Sequence, residues 1–133
     1  YTIFSFDPGV SVLQNEAVIN IKYKRNGSYS GDNMFGSAIA TIRYATDATN
    51  NTGGGSYNSL VSCDDTDFDA TVQTFQQTIS GPLNRQNFKI KVGAAEAIYV
   101  EQTDLGDCDT PPPYDEKTSS AGFLIYDIYV TFR

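Results

Sequence analysis

Period-two alternation of apolar and polar residues runs through most of this chain, and it predicts strands rather than helices. Thr2 to Phe6 reads as a short strand, stopped by Asp7-Pro8-Gly9, whose proline and glycine favour a turn. Val10 to Leu13 continues extended, and Ala17 to Tyr23 forms a β-branched run closed by Lys24-Arg25-Asn26-Gly27, a turn signal. A Gly-, Ser- and Asn-rich loop follows over 27–37. Ala38 to Ala45 then sets Ile39, Thr41 and Arg43 against Ala40, Ile42 and Tyr44. Asn50 to Ser56 reads as a loop and Tyr57 to Ser62 as a short edge strand. Val72 to Ile79 is a further strand, ended by a Ser80-Gly81-Pro82 turn. Phe88 to Val92 alternates with Lys89 and Lys91 to solvent, and Ala94 to Ala97 starts like a helix before Ile98-Tyr99-Val100 returns it to strand. Phe123 to Phe132 is the longest element. The pattern predicts an all-β antiparallel β-sandwich, Ig-like or jelly-roll, of seven to nine strands.

With 133 residues the chain fits one domain spanning 1–133. Only 19% of residues are charged, so much of the polarity comes from Thr, Ser, Asn, Gln and Gly, a mixture common in secreted or virion β proteins. The net charge of -7 argues against nucleic acid and against anionic membrane surfaces. No apolar run approaches the roughly 20 residues of a membrane span. The chain opens on Tyr1 without a signal-peptide pattern, so either a leader has been removed or the sequence is a piece of something longer. Two glycosylation sequons, at Asn26 and Asn50, fit an extracellular, cell-surface or virion setting.

The chain has no histidine. That removes the usual general base and the commonest transition-metal ligand, and with them the Ser-His-Asp and Cys-His arrangements. Gly53-Gly54-Gly55 lacks the Lys-Ser/Thr of a phosphate-binding loop. Paired carboxylates serve glycosidases, but such enzymes need a long cleft with aromatic subsites, for which a sandwich of this size has little room. The expectation is a protein that is not an enzyme.

Both cysteines, Cys63 and Cys108, sit in bursts of acid. Asp64, Asp65, Asp67 and Asp69 follow the first, and Asp107 and Asp109 flank the second. An intrachain Cys63–Cys108 disulfide, closing a loop of about 45 residues, stabilises by about 4 kcal/mol in the chain-entropy model. An intermolecular bridge and two free thiols are the alternatives. A disulfide brings the acidic loops together, and hard oxygens gathered that way suit Ca2+. Solvated turn acids are the plainer use of the same residues. No EF-hand spacing is present.

Phe4-Ser5-Phe6, Val12 to Glu16, Val18 to Gly27, Ile42 to Asp47, Asp67-Phe68 and Phe88 to Val92 occur in an order that resembles a Calx-beta domain. That module is a β-sandwich found in sodium–calcium exchangers and extracellular adhesins. The resemblance covers about residues 4–92. It departs from the family in a long Gly/Asn-rich insertion between Asp47 and Asp67. It departs again after Val92, where Gly93-Ala94-Ala95 replaces the acidic ending. It implies the sandwich fold, and it carries calcium ligation over only to Asp47 and Asp67.

Tyrosines 23, 29, 44, 57, 99, 114, 126 and 129 serve either as strand filling or, if clustered on an exposed face, as a platform for sugar or protein. Pro111-Pro112-Pro113-Tyr114 reads as a stiff loop or a polyproline ligand. Strands begin at the first residues and run to the last, and terminal strands of this kind add to a neighbour's open sheet edge. The expected function is a non-catalytic extracellular structural or adhesive module, a subunit of a surface filament, adhesin or virion, self-associating or joined to other structural proteins. A carbohydrate-binding or calcium-dependent recognition module is the alternative.

Overall fold

The computed structural model of the chain describes residues 1–6, 13–29, 38–49, 54–102 and 114–133. Across them the protein is nearly all β. The strands are β1 (Thr2–Ser5), β2 (Leu13–Arg25), β3 (Ser28–Tyr29), β4 (Ile39–Ala45) and β5 (Asn58–Asp64). They continue as β6 (Gln73–Asn84), β7 (Lys89–Val92), β8 (Ala95–Gln102), β9 (Tyr114–Ala121) and β10 (Phe123–Phe132). A single 3-10 turn, Arg85–Asn87, joins β6 to β7. All strand pairing is antiparallel, in sheets ordered β1-β7-β4-β5, β10-β2-β6 and β3-β9-β8.

Ten strands appear among the described residues where seven to nine are expected, because β3 forms within the segment read as a loop over 27–37 and β9 lies where the sequence reading places no strand. β2 passes into β3 at Asn26-Gly27, β7 into β8 at Gly93-Ala94, and β9 into β10 at Gly122. The Asn-Gly pair therefore makes a bend and not a reversal. Asn26 bridges Phe68, and its N–H bonds to the Gly122 carbonyl at 3.0 Å. Through these bends the third sheet continues the other two at one end of the molecule.

The first two sheets bury their inner faces against one another. Ala17, Ile19, Ile21 and Tyr23 of β2 point inward together with Ile79 and Leu83 of β6, while Ile42, Val61, Phe88 and Ile90 face them from the other sheet. Ile128, Val130 and Phe132 of β10 pack on the same cluster. Alternation over Ile19–Tyr23 of β2 and Ile128–Phe132 of β10 puts these residues on one face, as a two-residue period requires. A smaller cluster of Ala38, Ala40, Cys63 and Ala121 fills the space under the third sheet.

Three local expectations are corrected. Ser80-Gly81-Pro82 is not a turn, because β6 runs on to Asn84. Proline is tolerated there because β6 is an edge strand, and Gly81 lets the carbonyls of Gln14 and Asn15 come close, beside a register shift in β2. Lys89 is not solvent-facing: it is buried, with its Nζ donating to the Gln86 carbonyl at 2.9 Å. Ala95 onward is strand, since cross-strand pairing with β9 outweighs the local helix preference of alanine.

Candidate functional site

The acidic segment after β5 folds as a tight turn held by its own carboxylates. Asp64 Oδ1 accepts from the Thr66 N–H at 2.8 Å and from Thr66 Oγ1 at 2.6 Å. Asp67 Oδ2 accepts from the Asp64 N–H at 3.0 Å. Asp69 Oδ2 lies 3.3 Å from Arg25 Nη1, and Arg25 Nε donates to the Ser62 carbonyl at 2.8 Å. Arg25 thus pins the turn to β5, a role that nothing in the local sequence announces. Asp65 is buried. Gly27 passes directly beneath, its N–H donating to the Asp67 carbonyl at 2.6 Å.

The expected Cys63–Cys108 disulfide is not formed, since no two cysteines stand at disulfide distance. Cys63 is a free thiol with 0% exposure, and Cys108 lies outside the described residues. β5 runs through Cys63 to Asp64, so the cysteine occupies an inward strand position and not a loop. Its thiol faces the Asp64 and Asp67 carbonyls at 3.4 and 3.8 Å. Burial pushes the thiol pKa up, against smaller opposing contributions. Since the thiolate is the reactive species, Cys63 should resist thiol reagents at pH 8 in the native protein and react at the rate of a free thiol in denaturant. A stopped-flow disulfide-exchange assay on the Cys108→Ser chain reads this directly. Fast native labelling would overturn the burial.

Three of the proposed calcium ligands have protein partners of their own. Asp64 and Asp67 accept from their own turn and Asp69 faces Arg25. Asp107 and Asp109 lie outside the described residues. Among the described residues no three His, Cys, Asp or Glu side chains gather as a metal site. Asp47 belongs to a different loop, where its Oδ1 accepts from the Ser56 N–H at 2.8 Å. Of the two sequons, Asn26 is exposed on the bend after β2, and Asn50 lies outside the described residues.

These clasps have a pH consequence. The Asp47 carboxyl is held below its usual value by the Ser56 backbone N–H, and that of Asp64 by the Thr66 hydroxyl and N–H. A carboxylate with a depressed folded pKa stabilises the fold above its unfolded value, near 3.9, and loses that contribution as pH falls through the folded value. Thermal unfolding should therefore be level from pH 7 to 5 and fall below about pH 4. The Asp64→Asn and Asp47→Asn variants should show a shallower fall.

Each sheet has two edge strands among the described residues, and the longest of them are β6 and β10. β6 and β10 each pair only with β2 and leave their outer edges unpaired. β6 has no charged residue, and β10 has only Asp127. On the outer face of this sheet Tyr126 and Tyr129 are about half exposed, at 54% and 53%. Lys24 Nζ sits 5.9 Å from the Tyr126 ring centroid, and Gln76 Nε2 donates to Asn20 Oδ1 at 2.8 Å. Tyr23 and Tyr44, in contrast, are core residues. An open cleft of about 420 Å³ lies at the bends, lined by Asn26, Ala94, Ala95, Glu96, Ser120, Ala121 and Gly122. Its walls are small side chains with a single carboxylate.

No family model, curated protein or solved structure matches this chain. The fold itself defines a class: an antiparallel all-β protein, consistent with a sandwich, whose three-stranded sheet has two long and nearly uncharged edges.

Proposed function

We propose that this chain is a non-catalytic structural or adhesive β-sandwich module of an extracellular assembly, such as a surface filament, an adhesin or a virion, joined to its neighbours through strand edges. The open, nearly uncharged edges of β6 and β10 carry this reading. Natural proteins usually protect long edge strands with lysine, proline or a covering loop, because unpaired N–H and C=O groups recruit another strand. Here the described part of β10 has no lysine or proline, and β6 has its proline only near one end. A net charge of -7 would keep monomers apart, yet almost none of that charge lies on the two edges. The exposed Asn26 sequon and the polar composition support the extracellular setting. The order of motifs resembling a Calx-beta domain supports the module class.

Electron microscopy and sedimentation of the native protein test the proposal. Assemblies larger than the monomer, indifferent to chelator and to added sugars, are expected. A monomer that persists at the highest soluble concentration, with Tyr1–Phe6 protected from hydrogen exchange, would overturn it.

A recognition module is the second reading, favoured by Tyr126 and Tyr129 standing exposed beside the Asn20–Gln76 pair. Aromatic faces bordered by amides suit sugar stacking. Its mark would be a monomer whose melting temperature rises with glycan or with millimolar calcium, since a ligand that binds only the folded state stabilises it.

A further inference from the structure

We infer that a second copy of this chain adds to the open edge of β10, antiparallel and centred on Val130, so that two three-stranded sheets continue into one; this rests on the strand-edge reading above. The ladder with β2 decides which groups are available. Arg133 and Glu16 exchange both backbone bonds, at 3.0 and 3.1 Å. Bonding alternates along an antiparallel strand, so Thr131, Tyr129 and Asp127 also turn their N–H and C=O toward β2. Ile128, Val130 and Phe132 turn theirs to the edge that no strand among the described residues covers. The same three side chains point inward onto the core, where they remain partly exposed. A strand placed there satisfies the backbone groups and extends an apolar inner row at once.

Charge selects the register. Residues opposite one another in an antiparallel pair share a face, so a symmetric joint must centre on a single residue. Centring on Tyr129 sets Asp127 against Thr131 of the second copy, which offers its carboxylate no cation across the joint. Centring on Val130 sets Asp127 against the second copy's Arg133, and by symmetry does so twice. Within each sheet Asp127 is already aligned with Lys22, and Arg133 lies 3.5 Å from Glu16. The joint therefore completes a row of alternating sign: Lys22, Asp127, then Arg133 and Glu16 of the second copy. In this register Asp127 and Arg133 form a pair without mutual backbone bonds, the closer kind, with Cα atoms about 4.5 Å apart. Val130 meets its own copy, and Ile128 meets Phe132.

The β6 edge is the poorer candidate. Its inward row contains the exposed Gln77 opposite Ile19, and Gly81-Pro82 interrupts its far end. A bulge at Tyr126 confines the regular edge of β10 to the Asp127–Phe132 stretch, the part that the Val130-centred register uses.

Sedimentation equilibrium on the full chain, with unfolding followed in parallel, tests this. The wild-type chain should dimerise, and Asp127→Arg or Arg133→Asp alone should weaken dimerisation about tenfold or more by setting like charges opposite one another. The double variant D127R/R133D should restore it. Val130→Pro removes an N–H that the monomer does not use, and it should abolish the dimer while leaving the sheet folded. Failure of the double variant to restore association would overturn the register. Association that survives Val130→Pro but is lost in Thr78→Pro, a matching change on the free edge of β6, would overturn the β10 assignment while leaving edge assembly standing. A wild-type monomer at every concentration would overturn both.

Discussion

Replacing Phe88 with alanine should cost about 4 kcal/mol of folding stability. Phe88 has 0% exposure and lies where the two packed sheets meet the start of the chain. Its ring stands 5.4 Å from Phe132 at 89°, 6.0 Å from Phe6 at 67°, and 6.2 Å from Tyr44 at 23°. Those partners come from β10, from the residue that follows β1 and from β4, so one side chain joins three separate segments. Truncation removes the transfer energy of the ring and leaves a cavity that three aromatic neighbours, two in strands and Phe6 just after β1, fill poorly. Edge-to-face and stacked contacts add about 0.5–1.5 kcal/mol each beyond burial. Urea unfolding measures the loss, and the midpoint should fall without a change in slope. Phe88→Leu should cost less than half as much. A loss under about 1 kcal/mol for Phe88→Ala would mean that the sheets do not close on this ring.

A methyl group on Gly27 should be nearly as damaging, at about 3 kcal/mol. A Cβ there would lie 2.7 Å from the Asp67 carbonyl oxygen and 2.8 Å from the Asp65 carbonyl carbon, and closer still to the Asp64 carbonyl oxygen. All of these are backbone atoms of the acid turn, which cannot rotate aside as a side chain can. Relief requires the turn to lift from the bend, breaking the 2.6 Å bond from the Gly27 N–H to Asp67. The same movement opens the roof over Cys63, whose thiol faces those carbonyls. Gly27→Ala should therefore lower the melting temperature and also make Cys63 reactive well below the unfolding transition. Gly93→Ala is the control. A Cβ there meets only the Thr41 carbonyl, at an ordinary 3.6 Å, so its effect should be small. Equal effects of the two substitutions would show that the acid turn does not rest on Gly27.

The close seat of the turn on Gly27 shows how little of its geometry can be read along the chain. Four aspartates within six residues look like cation ligands, because carboxylates in sequence are counted as charges without direction. In the fold three of them have an address, Asp64 on Thr66, Asp67 on the Asp64 N–H and Asp69 on Arg25, while Asp65 is buried. Arg25 is 44 residues from Asp69, so no local pattern could pair them. Cys63 misleads for a related reason. Its acidic neighbours mark it as a loop residue, but β5 reaches one position past it, and a two-residue period then turns the thiol inward.

Strand identity, by contrast, was legible for most elements, β3 and β9 excepted. The Phe123 to Phe132 element agrees with β10 at both ends, and the inward and outward sets of Ala38 to Ala45 agree with the burial of Ala40 and Ile42. Alternation records which face of a strand meets the core, and that is a local property of the chain. Two of the errors fall at Asn26-Gly27 and Gly81-Pro82, where glycine normally ends a strand. Both glycines are instead sites where another backbone passes closely. That second use depends on a segment distant in sequence.

By itself, then, the sequence determined an all-β antiparallel protein, the inner and outer faces of its strands, and the chemistry closed to a chain without histidine. Only the tertiary structure decided that Cys63 is a buried thiol, that the acid turn is clasped by Arg25 and Gly27, and that β6 and β10 are left as edges. The physical reason is that burial patterns are written residue by residue. Which strand lies beside which is settled by backbone hydrogen bonds, identical for every side chain, and by the packing of segments far apart in the chain.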